Sequence, residues 1–246
     1  MKIFKDKNNL RQEILNIRGI SFVPTMGGLH KGHISLIKKS KKTKLKTLVS
    51  IFVNPKQFNN KKDFKTYPRN QKKDLKILKN LKVDYLYLPS IKDIYSFKPK
   101  KKVFLDKFSK QLCGKYRKGH FPGVLNVVNR FLDIIKPKKL FMGKKDFQQL
   151  YLVRQMAKKY FPKLKIISAP TIRNKNGLAL SSRNSYLDKQ SITIAPLFYK
   201  ILFDGINSFK NSNNVEETIK DITKTLEKNK FLVNYVSFLT TELEKL

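Results

Sequence analysis

The chain has 246 residues and a net charge of +37, from 54 Lys and Arg against 17 Asp and Glu. That is long enough for one α/β domain with a small second one, and basic enough to raise nucleic acid as a partner. No run of eighteen apolar residues offers a membrane span, the first six residues lack a signal-peptide apolar core, and the single cysteine excludes a disulfide framework and a cysteine–histidine zinc site; all three fit a cytoplasmic protein. A nucleic-acid partner is not expected, because 46 of the basic residues are lysine and only eight are arginine, spread along the whole chain, whereas base-reading surfaces lean on arginine's planar fork.

In chain order, residues 1–19 are polar and mixed and read as a helix. Ile20-Ser21-Phe22-Val23 is an apolar run that predicts a buried strand. It is followed by Pro24-Thr25-Met26-Gly27-Gly28-Leu29-His30-Lys31-Gly32-His33, with three glycines in six residues and two of the chain's three histidines. Such a turn brings backbone N–H groups and a helix N-terminus close to a ligand. His30 and His33 are three apart and share a face as the next helix begins, at about Ile34 to Ser40. Amides, a helix N-terminus and two imidazoles together suit a polyphosphate; an ordinary glycine turn with surface histidines is the bland alternative.

A second strand is predicted over 45–53, ending in Asn54-Pro55-Lys56-Gln57-Phe58, which Pro55 makes a loop. Strand, helix and strand form a βαβ unit and hence a parallel sheet, with ligands at the carboxyl ends of its strands. A helix follows over 71–81, with Leu75, Leu78 and Leu81 inward, then a third strand over 83–88. Residues 90–110 read as a loop with a short strand near 103–105. A basic glycine loop, Gly114 to Phe121, precedes a helix over 123–135. Leu140-Phe141-Met142 is a strand entering Gly143-Lys144-Lys145-Asp146-Phe147-Gln148-Gln149, and a helix runs on to about Tyr160. Residues 166–169 form another strand, followed by the polar loop 173–184. Beyond about Leu187 the composition changes modestly, to helices over 188–209 and 215–228 and a strand near 232–238. The expected architecture is therefore a Rossmann-like parallel sheet with flanking helices over 1–187, plus a small, shortened C-terminal α+β domain over 188–246.

The polar residues cluster in three glycine-containing loops after strands. They offer two histidines, Lys145, Ser181, Ser182, Arg183 and two glutamines, but few carboxylates and no serine–histidine–acid set. That inventory suits stabilising a phosphoryl group under attack. An attacking carboxylate is already ionised at neutral pH and needs no base, so adenylyl transfer to a carboxylate is the expected chemistry. Arg69, Arg117 and Arg183 suggest positions where a planar bidentate donor matters in a chain otherwise given to lysine, ordinary surface arginines being the alternative.

The H-x-G-H pattern of His30-Lys31-Gly32-His33 resembles the signature of the nucleotidylyltransferase superfamily. The longer string from Pro24 to His33 resembles the pantothenate synthetase, or pantoate–β-alanine ligase, family. Ser50-Ile51-Phe52-Val53-Asn54-Pro55-Lys56-Gln57-Phe58, Tyr67-Pro68-Arg69, Gly119-His120-Phe121, Lys145-Asp146-Phe147-Gln148-Gln149 and Gly177-Leu178-Ala179-Leu180-Ser181-Ser182-Arg183-Asn184 resemble its other motifs, in the family's order. The resemblance implies a two-step reaction. Pantoate attacks the α-phosphorus of ATP to give pantoyl adenylate and pyrophosphate, and β-alanine then displaces AMP to give pantothenate.

The resemblance also implies the site. ATP would be bound by Met26, Gly27, Gly28, Leu29, His30, Lys31, Gly32 and His33, by Gly143, Lys144, Lys145 and Asp146, and by Ile172, Leu180, Ser181, Ser182 and Arg183. His33, His30, Lys145 and Arg183 would be catalytic, and Gln57, Gln149 and Asn54 would hold pantoate and β-alanine. Mg2+ is expected with ATP, Asp74 being the candidate ligand, and a homodimer is expected. Two positions depart from the pattern: Lys144 and Cys113 stand where the family usually has glutamate. Two other readings compete, a nucleotidylyltransferase acting on a phosphorylated acceptor and a basic RNA-binding module.

Overall fold

The apolar runs at Ile20 and Leu45 become adjacent strands of one sheet in a computed structural model, which describes residues 1–241 and 243. The elements of the first unit, Met1–Thr171, run as follows: β1 (Lys2–Phe4), α1 (Lys7–Ile14), β2 (Ile20–Thr25), α2 (Lys31–Lys41), β3 (Lys46–Ile51), α3 (Lys61–Thr66), α4 (Gln71–Asn80), β4 (Tyr85–Tyr87), α5 (Ile91–Tyr95), α6 (Cys113–Tyr116), α7 (His120–Ile135), β5 (Lys139–Gly143), α8 (Phe147–Tyr160) and β6 (Lys165–Ala169). The six strands lie in the order β1-β4-β3-β2-β5-β6, every neighbouring pair parallel.

Alternation along the strands sends side chains to two faces. Val23, Val49, Leu86 and Phe141 pack with Leu36 and Ile37 of α2 and Leu78 of α4. Phe22 and Tyr87 instead meet the ring of Phe131, an α7 residue. Helices thus cover both faces, which explains why the strands read as continuous apolar runs. α7 is buried along almost its whole length, from His120 to Ile135. Each large apolar side chain withdrawn this way stabilises the fold by roughly 1.5–3 kcal/mol.

Three local expectations fail. Lys2–Phe4 is an edge strand that the polar start of the chain concealed. Residues 103–105 form no strand, and the stretch 90–110 opens instead on α5, capped by the Ser90 hydroxyl accepting from Asp93 N–H at 3.0 Å. Residues 232–238 are irregular.

The second unit, Ile172–Leu246, contains α9 (Lys189–Ile194), α10 (Leu197–Ser212) and α11 (Val215–Lys228). Pro196 divides what the periodicity presents as one helix, since it has no N–H to continue the ladder. α10 and α11 approach closely at Gly205, where an added Cβ would lie 2.3 Å from Ile222 Cδ1. Thr218, Ile222 and Leu226 form the buried stripe of α11.

Candidate active site

From β2 the chain steps outward through β3 to β4, then returns to lay β5 along the other edge of β2. That reversal is a topological switch point, and doubly wound sheets bind ligands at the strand carboxyl ends beside it. The loops leaving those two ends are residues 26–30 and 143–146.

Gly27 and Gly28 take φ of +81° and +61°, a region that glycine enters without steric penalty. They turn the chain so that His30 becomes the N-cap of α2. His30 Nδ1 accepts from Gly32 N–H at 3.1 Å, and His33 Nδ1 accepts from His30 N–H at 3.4 Å. This is a capping box built from two imidazoles. An added Cβ on Gly32 would stand 2.8 Å from His30 Cε1, so a glycine there lets the ring fold over its own helix start. The ring centroids are 4.2 Å apart. Because each Nδ1 accepts from a backbone amide, each neutral ring carries its proton on Nε2.

Both pKa values are depressed. Burial is the main cause for His30, with the Lys145 charge second. Burial also dominates for His33, with His30 and Lys145 adding, and lowers it to about 3. His33 is therefore neutral at physiological pH, a hydrogen-bond donor through Nε2. Lys145, on the loop that leaves β5, is thus among the charges that act on both rings.

Three of the loop's backbone amides are engaged within the protein. Gly27 N–H donates to Thr25 Oγ1 at 3.2 Å, Gly28 N–H to Asp74 Oδ2 at 2.9 Å and Leu29 N–H to Asp74 Oδ1 at 2.8 Å. The loop is thus a rigid mount for the imidazoles, with its amides engaged by the protein itself. Asp74, on α4, is 2% exposed, and both its oxygens are committed to the loop, which draws it away from the metal-ligand part. Among the described residues no group of three or more His, Cys, Asp or Glu is placed to hold a metal ion. Asp74→Asn turns one acceptor toward an N–H as a donor and should destabilise the fold by about 2 kcal/mol. Thermal unfolding checks this, and an unchanged midpoint would mean that the loop holds its shape without the carboxylate.

On the neighbouring loop, Gln57 Nε2 donates to Met26 Sδ at 3.0 Å. Its backbone carbonyl lies 2.8 Å from His120 Nδ1. Asn54 is 1% exposed and spends its hydrogen bonds on the protein, one of them on Gln57 Oε1. Lys144, Lys145 and Asp146 are exposed, with Lys145 Nζ 3.2 Å from Asp146 Oδ1. Gln149 is half-buried in the first turn of α8. Its neighbour Gln148 is structural: it accepts from Cys113 N–H and donates to the Phe108 and Gln111 carbonyls.

Ile172, Leu180, Ser181, Ser182 and Arg183 belong to the second unit. There Leu180 N–H donates to the Ile172 carbonyl at 2.9 Å, across a turn that places Gly177 at φ +91°. Ser181 Oγ accepts from Arg183 N–H at 3.3 Å. The Tyr95 hydroxyl and the Asp74 clamp are the parts that sequence reasoning does not assign. His120 had a signal, being one of only three histidines.

The pantoate–β-alanine ligase family model matches residues 2–245. Pantothenate synthetase of Francisella tularensis subsp. novicida is 42% identical over 242 residues, 94% of this chain and 91% of that protein. A crystal structure of pantothenate synthetase from Thermus thermophilus superposes with a TM-score of 0.91 at 31% identity, covering 100% of this chain and 90% of the other. The Francisella tularensis ligase, solved in complex with β,γ-ATP and β-alanine, gives a TM-score of 0.80 at 43% identity over 92% of this chain and 86% of its own.

Proposed function

The chain belongs to the pantoate–β-alanine ligase family, and from that premise we propose that it condenses pantoate with β-alanine, driven by ATP, through a pantoyl-adenylate intermediate. The observation that carries this reading is the 3.0 Å contact between Gln57 Nε2 and Met26 Sδ. It supports the reading because Gln57, proposed to hold pantoate, then neighbours the loop proposed to hold ATP, and transfer between two substrates needs them adjacent.

In the first step a pantoate carboxylate oxygen bonds to the α-phosphorus and the bond to pyrophosphate breaks. No base is needed, because the carboxylate is ionised. Negative charge grows on the phosphate oxygens, and the Nε2–H groups of His30 and His33 with the Lys145 ammonium supply donors and positive charge there. In the second step the β-alanine amine attacks the acyl carbon, AMP leaves with the electron pair, and the amine gives up a proton. Magnesium would arrive with ATP and would neutralise phosphate charge there. Gln149 joins Gln57 in holding pantoate; Ile172, Leu180, Ser181, Ser182 and Arg183 are assigned to ATP on the family resemblance.

Pyrophosphate release from Mg-ATP, measured with pantoate alone and then with β-alanine, tests the reading. Release that requires pantoate, with AMP and pantothenate appearing on addition of β-alanine, is the expected result. Absence of pantoate-dependent release from folded, ATP-binding protein would turn the reading toward another acceptor.

The neutral state of His33 also has a pH signature. The unfolded side chain takes a proton near pH 6.5, whereas the folded ring resists until about pH 3. Between these values the unfolded chain binds more protons, so stability falls as pH falls through this window. The slope from this ring is at most about 1.4 kcal/mol per pH unit, less as water reaches it. Denaturant titrations from pH 7 to pH 4 should show a shallower loss in His33→Asn than in the wild type. Equal slopes would mean that the ring titrates normally.

A further inference from the structure

Asn54 is a hub whose orientation the backbone dictates. Its Oδ1 accepts from Lys56 N–H at 3.2 Å, and its Nδ2 donates to the Gly123 carbonyl at 3.1 Å. A peptide N–H only donates and a peptide oxygen only accepts, so the Asn54 amide cannot be reversed without breaking both bonds. Two positions remain, and both are filled. The Tyr95 hydroxyl donates to Oδ1 at 2.7 Å, and Nδ2 donates to Gln57 Oε1 at 3.1 Å. With Oε1 occupied as an acceptor, Gln57 must present Nε2 on its other side, where it meets Met26 Sδ. A thioether is a weak acceptor, and a substrate oxygen is a stronger one.

Tyr95 is itself firmly held. The Lys56 ammonium lies 4.1 Å from its ring centroid and the Arg130 guanidinium 4.9 Å. Burial lifts its hydroxyl to about 12, so it stays a protonated donor across the physiological range. Tyr95 lies on α5 and Gly123 on α7, so two helices jointly fix the polarity of one glutamine amide.

We propose that Tyr95 is a positioning residue for pantoate, acting through Asn54 to fix Gln57 as a hydrogen-bond donor toward a substrate oxygen. The inference rests on the reading above, in which Gln57 holds pantoate. It adds a specificity consequence, since the site then recognises a carboxylate or hydroxyl oxygen at Gln57 and rejects a group that only donates. Tyr95→Phe removes one of the two donors that steady the Asn54 oxygen, and Asn54→Asp goes further. An aspartate oxygen facing Gln57 Oε1 repels it, so Gln57 turns Nε2 inward and shows its carbonyl to the substrate.

Equilibrium binding of pantoate and of Mg-ATP to the full chain, with steady-state kinetics, tests the relay in the wild type and both variants. For Tyr95→Phe, pantoate affinity should fall about fivefold to tenfold and its KM rise in parallel, with kcat and Mg-ATP affinity nearly unchanged. For Asn54→Asp the loss should reach about a hundredfold. Should that variant not fold, Tyr95→Phe decides alone. Wild-type pantoate affinity in Tyr95→Phe, or a loss of Mg-ATP affinity in step with pantoate, overturns the relay. A wild-type chain that binds Mg-ATP and not pantoate overturns the functional reading first, and the relay with it.

Discussion

His33→Asn should lower kcat for pantoate-dependent pyrophosphate release about a hundredfold or more, while His33→Gln retains appreciably more activity. The two variants divide the imidazole by position. Asparagine ends near Nδ1 and preserves an acceptor for the His30 N–H, so the capping box and the start of α2 survive. It has nothing at Nε2, the donor proposed to meet developing phosphate charge, and loss of one such preorganised donor typically costs a hundredfold to a thousandfold. Glutamine reaches the Nε2 position with an amide donor and gives up the cap, which costs stability of about 1 kcal/mol. If asparagine were the more active, His33 would matter as a cap. If both were fully active, the phosphate charge would be met elsewhere, with Lys145 the first alternative.

Gly123→Ala should lower kcat/KM for pantoate about tenfold to a hundredfold and destabilise the fold by about 1–3 kcal/mol. Gly123 lies in the first turn of α7, and a Cβ there would come within 2.1 Å of the Lys56 carbonyl oxygen and 2.8 Å of Gln57 Cα. Neither contact is with the end of a flexible side chain, so the backbone of residues 54–58 has to move away from α7. The same displacement strains the Asn54–Gly123 hydrogen bond and the His120–Gln57 contact. A shift of about 1 Å in a positioning group costs up to about a hundredfold. Mg-ATP affinity, which the proposal assigns to the glycine loop, should hardly change. Equal losses for the two substrates would show that the loops move as one body, and an unaffected variant would show that α7 yields instead.

What the sequence makes legible is whatever repeats locally. α11 occupies residues 215–228 as its periodicity predicts, and β2, α2 and β3 follow the strand–glycine turn–helix–strand pattern that also singled out His30 and His33. The family motifs, taken in order, supplied the reaction. The long-range partners stayed hidden because no period records them. Asp74 meets Gly28 and Leu29 from 46 and 45 residues away, Tyr95 meets Asn54 across 41, and His120 meets Gln57 across 63. The partners of the loop amides were hidden for the same reason: glycine spacing reveals a turn, but not that a carboxylate on another helix takes up N–H groups of Gly28 and Leu29. β1 escaped notice because three residues, Lys2, Ile3 and Phe4, are too few to show alternation.

The strand order has a consequence for how the enzyme is made. β2 finds β3 soon after both emerge from the ribosome, yet its other edge waits for Lys139, which pairs with Ser21. Until β5 arrives, one edge of a central hydrophobic strand remains open, the kind of edge that pairs with other chains. The two loops proposed to hold nucleotide are thus brought side by side only when β5 docks on β2. In refolding experiments secondary structure should return before Mg-ATP binding does, and saturating Mg-ATP should protect the β2–β5 seam from hydrogen exchange more than the outer β1–β4 pair.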